Sequence, residues 1–377
     1  MIEQYYSNIQ FLAWILLILL GSYLIFGNMP GKVACNSYNR SRKIMGCAFF
    51  IYAIQFFLQW KFHLRDSLPQ VASALNITVF YVGSILFNMS FISLLDNKYI
   101  TKKRTVTDLT LWAMTTCAIA IALFYANQPL QSAVLAVGAM MFLVYEFMGF
   151  YIFFRAYYRT VKKMQNYYSD DQDCVIRWMS KSIFYAISLG LLCSFMAFAV
   201  KWMITIYLIA GILMFFYIFV SFINYLIHSE QVEQVVSEEP CLESDTEISM
   251  EKTCTIKRTK VEMSASDLQI ERFLQEWLAA KGYCTPSITI EQLAKQMKTN
   301  RNYLSNYINT HFSCTFRQWI LDLRIKDAKE ILLDQSDMTI IQIATNVGFA
   351  SDTHFRRVFT EMNGMPPKNW RQANRKG

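Results

Sequence analysis

Two spacings of apolar residues divide this chain. Up to about residue 228 they form seven long runs: about Ile9–Phe26, Ile44–Trp60, Val71–Leu95, Val106–Tyr125, Ser132–Phe154, Ser182–Val200 and Met203–Ile227. Runs of this length predict helices that cross a hydrocarbon core roughly 30 Å thick. A helix satisfies its own backbone hydrogen bonds, so it can sit in lipid alone. Pro30, Pro69 and Pro129 fall between the runs, as helix punctuation should. From Ser266 the apolar residues instead recur three and four apart, the period of amphipathic helices in a water-soluble domain.

Between these halves, residues 229–265 alternate in neither way. The first part holds Glu230, Glu233, Glu238, Glu239, Glu243, Asp245, Glu247 and Glu251 without Lys or Arg; Lys252, Lys257, Arg258 and Lys260 follow. Such a stretch cannot build a core and is expected to be a charged flexible linker. The domain organisation expected is therefore 1–228 for a seven-helix transmembrane domain, 229–265 for the linker and 266–377 for a soluble helical domain. The fold class expected is all-α. A signal peptide at the first run is the weaker reading, because the leading residues carry Glu3 and no Lys or Arg.

The soluble part reads as a series of capped helices. Ser266 and Gln269 have capping-box spacing ahead of Ile270, Phe273, Leu274, Trp277 and Leu278, and Gly282 is expected to stop that helix. Thr289 and Gln292 repeat the spacing before Leu293, Ala294 and Met297. Asn300 can cap a next helix in which Leu304 and Ile308 point inward, leaving Asn302, Tyr303, Ser305 and Asn306 outward. A long helix over about Thr315–Leu333 follows. Ile340, Ile343, Ala344 and Val347 then mark another short helix, which Gly348 can end because it accepts positive φ. Ser351 can cap a last one, with Asp352 at its positive end. There Phe355, Val358 and Phe359 face inward, and Thr353, Arg356 and Arg357 face out. Short helix, tight turn, second helix with a polar outer face: this is the pattern of a helix-turn-helix, and it occurs twice; read without further context, an ordinary helical hairpin with a solvated basic face is the alternative.

The segments LAKQMKTNRNYLSNYI, FRQWILDLRIKDAKEIL and IIQIATNVGFASDTHFRRVFTEMNGMPPKNWR resemble the DNA-binding domain of the AraC/XylS family of bacterial transcription regulators. The resemblance covers about 268–372, including Arg324 and Ala328 in the joining helix. It implies two recognition helices in successive major-groove segments. Carried over position by position, Asn302, Ser305 and Asn306 would meet bases or phosphates from the first unit, and Asp352, Thr353, Arg356 and Arg357 from the second. Arg pairs with guanine and Asn with adenine in two-bond contacts; Arg301, Lys298 and Lys368 would touch phosphate. The family often carries basic residues where this chain has Asn306 and Asn309, and Gly where it has Ser313, so the first unit is the less electropositive.

Composition and charge fix the setting. Hydrophobic residues make up 54% of the 377 residues, aromatics 15%, and the formal charge is +8; mean hydropathy is +0.23. Positive residues cluster after the first run (Lys32, Arg40, Arg42, Lys43), the third (Lys98, Lys102, Lys103, Arg104) and the fifth (Arg155, Arg159, Lys162, Lys163, Arg177, Lys181). Since such loops stay cytoplasmic, the N-terminus is expected outside and the soluble domain in the cytoplasm of a bacterial inner membrane. Nine Cys without a C-x-x-C pair read as free thiols.

Glu146 is the acidic residue deepest inside a run, and the sequence offers Asn76, Asn88 and Gln55 as polar neighbours for a candidate intramembrane site. His63, His228, His311 and His354 are scattered, and neither a phosphate loop nor a nucleophile–base pair is evident. No catalytic residue, metal or cofactor is therefore expected. The function expected is a membrane-bound, sequence-specific DNA-binding transcription regulator whose membrane half acts as sensor or anchor. Its expected partners are promoter DNA, the lipid bilayer, a small-molecule or protein signal, and a second copy as homodimer. The alternative is a membrane transporter or enzyme carrying a regulatory DNA-binding tail. Release of the soluble part by cleavage in the linker is a third possibility.

Overall fold

The computed structural model of the chain describes residues 2–28, 36–170, 174–196, 201–237, 265–334 and 337–374. Among these, every regular element is a helix. The chain separates into two compact units, one of residues 1–160 and 175–238 and the other of 161–174 and 239–377.

The first unit is a bundle of α1 (Ile2–Phe26), α2 (Asn36–Phe62), α3 (Pro69–Leu95), α4 (Lys102–Tyr125), the greater part of α5 (Gln128–Tyr167), α6 (Cys174–Met196) and α7 (Lys201–Tyr225). Seven helices among the described residues are long and apolar enough to cross a membrane. α1 lies against α2 and α7, α2 against α3, and α3 against α4. The bundle centre is aromatic: Phe49, Phe91, Phe153 and Phe222 are fully buried, with Trp178 5.2 Å from the Phe222 ring. Several polar groups inside are paired across helices. Ser41 and Ser90 bond each other at 2.9 Å. Gln10 donates to Gln59, and Gln55 and Gln59 both donate to Asn76. The outside is greasy, with Leu19, Met114, Ile121, Phe124, Val144, Ile206 and Leu213 all exposed. An apolar rind of this extent is foreign to a water-soluble surface.

Four helix limits depart widely from the apolar runs, the first being α1, which begins at Ile2 rather than Ile9. α2 begins at Asn36 rather than Ile44, α5 continues to Tyr167 rather than ending at Phe154, and α6 begins at Cys174 rather than Ser182. Hydropathy reports contact with lipid, whereas Arg, Lys and Gln continue a helix into water at little cost. The far end expected for the sixth run, Val200, lies outside the described residues. So does most of the expected linker; its opening residues form a helix, α8 (Ser229–Ser237).

The second unit holds α9 (Ala265–Ala279), α10 (Ile290–Gln296), α11 (Arg301–Phe312), α12 (Phe316–Asp334), α13 (Ile340–Asn346), α14 (Asp352–Asn363) and α15 (Pro367–Asn374). The last two turns of α5, from Val161, and the residues after it belong here too. Leu321, Ile325 and Ala328 of α12 meet Ile343, Ala344, Phe355 and Phe359 in one core. α10 and α13 each open with a complete capping box, Thr289 with Gln292 and Thr339 with Gln342. The stop after α9 differs from expectation. Lys281, not Gly282, takes the left-handed conformation, at φ 53°. Gly282 is needed for space, because a Cβ there would lie 2.1 Å from Trp277 Nε1. Side chains at Ser266 and Gln269 lie outside the described residues.

Candidate nucleic-acid interface

Each helix-turn-helix is built the same way. In the first, α10 ends at Gln296, Lys298 takes φ 52°, and Asn300 caps α11 by accepting from the Asn302 amide at 2.8 Å. In the second, α13 ends at Asn346, Gly348 takes φ 86°, and Ser351 caps α14 by accepting from the His354 amide at 3.2 Å. α11 and α14 have equal length, twelve residues. Leu304, Tyr307 and Ile308 bury one face of α11; Phe355, Val358 and Phe359 bury one face of α14. The opposite faces are polar and exposed or half-buried.

On α14, Thr353, Arg356 and Arg357 are exposed and share that outer face. Asp352 is half-buried and accepts from Arg356 Nε at 3.2 Å. Arg357 faces Glu361 at 3.8 Å. Both are exposed pairs one helical turn apart, worth roughly 0.3–0.5 kcal/mol each, so phosphate or a base edge can displace them. Asp352 thus steers Arg356 as well as suiting the helix N-terminus. On α11, Asn306 is exposed and Asn302 and Ser305 are half-buried. Arg301 is half-buried too. Its Nη2 donates to Asn302 Oδ1 at 2.9 Å, its guanidinium lies 5.4 Å from the Tyr167 ring centre, and burial lowers its pKa from the ordinary arginine value.

Behind both units lies Arg324, fully buried in α12. Its Nε donates to Tyr283 O and its Nη2 to Thr285 O, both at 2.8 Å. Its Nη1 reaches Asp170 Oδ1 at 3.3 Å, and its guanidinium carbon lies 5.6 Å from the Phe349 ring centre. Burial pulls its pKa down, and Asp170 opposes that. Alongside, Asp327 holds Lys281 at 2.6 Å and so raises the lysine pKa. The sequence marks Arg324 only as part of a familiar segment. Neither its burial nor its partner Asp170, 154 residues away, leaves a local signal.

In the bundle, Glu146 lines an apolar pocket with Tyr52, Phe80, Phe87, Tyr207 and Ser84. The other two residues of the expected polar site are elsewhere. Asn76 is taken up by Gln55 and Gln59. Asn88 packs on Gly149, where an added Cβ would lie 2.2 Å from its Nδ2. Amides in an apolar bundle find the nearest amide, and Gln55 and Gln59 on α2 reach Asn76 first.

Residues 293–373 match a family described as a helix-turn-helix domain. The chain is similar to the HTH-type transcriptional regulator GbdR of Pseudomonas aeruginosa, 33% identical over 86 residues, 23% of each chain. It is also similar to the melibiose operon regulatory protein of Escherichia coli, 31% identical over 88 residues, 23% of this chain and 29% of that one. The HTH-type transcriptional activator RhaR of Enterobacter is 28% identical over 98 residues, 26% and 34% of the two chains. The chain spans only about a quarter to a third of the length of these relatives. Among solved structures, the C-terminal domain of AraT, a response regulator from Geobacillus stearothermophilus, is 23% identical over 31% of this chain and 92% of that one, with a TM-score of 0.28.

Proposed function

We propose that this chain is a membrane-embedded transcription regulator that binds promoter DNA in a sequence-specific way through α11 and α14. The observation that carries the proposal is the repeated capped helix-turn-helix with its outer faces left polar. Thr353, Arg356 and Arg357 form the more basic face, and Asn302, Ser305 and Asn306 the neutral one. The similarity of residues 293–373 to helix-turn-helix domains supports the same reading. Arg356 and Arg357 supply charge and the capacity for guanine; Asn302 and Asn306 supply the amide geometry for adenine.

The seven apolar helices support insertion in a bacterial inner membrane. The positive loops support an outside N-terminus and a cytoplasmic DNA-binding domain, with the charged 229–265 stretch between 1–228 and 266–377. The pocket at Glu146 supports a sensing role for the bundle, toward a small apolar molecule or a protein signal. A homodimer on two half-sites fits the DNA reading.

The test is binding of promoter duplex by the purified full chain. Replacing Arg356 and Arg357 with Ala lowers affinity and makes its salt dependence shallower by up to about two, since each phosphate contact contributes roughly one to the slope. Unchanged affinity and slope would refute the groove assignment. A reporter fused after residue 228 is expected to work only in the cytoplasm; activity outside would refute the topology.

A further inference from the structure

The second unit contains a stretch that does not follow from its own sequence: the end of α5 and the residues after it, up to Asp170. Four consecutive residues there meet the start of the first helix-turn-helix. The Tyr167 hydroxyl donates to the Glu291 carboxylate. Tyr168 forms an antiparallel bridge with Thr289. The Ser169 amide donates to Ile288 O at 3.2 Å. Asp170 accepts from Ser287 Oγ at 2.6 Å and from Arg324. Tyr167, Ser169 and Asp170 are all buried.

These contacts differ in kind: a bridge, a backbone bond, a buried ion pair and a ring against a cation. An exposed loop resting on a neighbour seldom places a carboxylate against a fully buried guanidinium, because a desolvated charge is costly unless paired. The surface formed by Ser287–Thr289, Glu291 and Arg324 is therefore a docking site, and its occupant is on the same chain.

We infer that Tyr167–Asp170 is an internal strap that docks on the first helix-turn-helix and withholds Arg301 from DNA. Tyr167 covers the Arg301 guanidinium while Asp170 anchors the strap on Arg324. α5 is one continuous helix from Gln128 to Tyr167, so the residues that dock are the direct continuation of a helix that also supplies Glu146. The effect on DNA rests on the function proposed above.

The test uses the full chain carrying Tyr168→Cys and Thr289→Cys. Ser169 bonding Ile288 makes these two a non-hydrogen-bonded pair, whose Cβ atoms sit about 4.5 Å apart, close to what a disulfide spans. Oxidation is expected to cross-link the double variant and neither single variant. A duplex of random sequence serves as the probe, because phosphate contacts need no operator. The oxidised form is expected to show a salt slope shallower by about one than the reduced form, the share of a single phosphate contact. Asp170→Asn, which keeps the side-chain shape, is expected to make the slope steeper than in the parent chain.

Failure to cross-link overturns the strap. A cross-link with identical slopes in the oxidised and reduced forms overturns the withholding of Arg301. A cross-link with no duplex bound by any form overturns the withholding together with the DNA-binding reading, while the docking itself stands.

Discussion

The two helix-turn-helix units share a plan and differ in what confronts it. Both turns need a left-handed residue, yet one uses Lys298 and the other Gly348. The difference is set by the surroundings. A Cβ at Gly348 would lie 2.3 Å from Cys284 O, whereas Lys298 has room for its side chain. Positive φ alone costs a non-glycine residue about 1–2 kcal/mol, a penalty the first turn evidently tolerates. The outer faces differ as well. α14 shows Arg356 and Arg357 to solvent, while α11 shows neutral groups and keeps Arg301 against Tyr167. Duplicated motifs thus diverge where a third element touches them.

The largest change expected removes what the two units share. Arg324→Ala abolishes the bonds to Tyr283, Thr285 and Asp170 and the stacking near Phe349, and leaves Asp170 buried without its cation. A loss of roughly 3–5 kcal/mol is expected, read as a lowered unfolding temperature of the C-terminal unit in the full chain. Retained stability would show that the two units do not depend on this joint.

Next comes the turn asymmetry. Gly348→Ala meets both the backbone penalty and the Cys284 carbonyl, so a loss of roughly 2–4 kcal/mol is expected. Lys298→Gly should change stability by no more than about 1 kcal/mol. Equal effects at the two positions would erase the distinction between them.

Smaller still is the difference in DNA response. Asn302→Ala with Asn306→Ala should alter the preferred bases while leaving the salt slope unchanged, in contrast to the paired Arg variant. Selection of bound duplexes from a random pool, repeated at several salt concentrations, separates the two.

The smallest effect involves acid. Lys295 first, and then Tyr167, hold the Glu291 carboxyl below its ordinary range. A depressed pKa stabilises above the unfolded value, and the stabilisation fades as pH falls through the folded one. Protection of the Thr289 amide, measured against the intrinsic exchange rate at each pH, should therefore fall on acidification below the usual glutamate range. Glu291→Gln should remove that dependence.

Much of this was legible in the sequence because it is local. The capping box at Thr289, the Gly348 turn and the apolar faces of α11 and α14 each follow from residues three to eight apart. The seven apolar runs follow from composition. What escaped is long-range. Asp170 and Arg324 are 154 residues apart, and nothing near either announces the other. Sequence alone points to Gly282 as the helix stop, but its neighbour Lys281 takes the left-handed conformation; the glycine answers to Trp277, whose indole occupies the space. Asn76 and Glu146 look alike in the sequence because both are polar in apolar runs, whereas pairing between helices depends on depth and rotation that a run does not encode.

The amide ladder running from Gln10 through Gln59 and Asn76 to Gln55 joins the first three helices. An amide left alone in hydrocarbon costs several kcal/mol, so in the proposed membrane setting the first three helices would be least comfortable when inserted singly. Sliding or turning any one of them by a residue would break at least one rung. In the bilayer setting proposed above, the ladder would therefore act as a combination lock on assembly, because helices set out of register leave an amide unpaired.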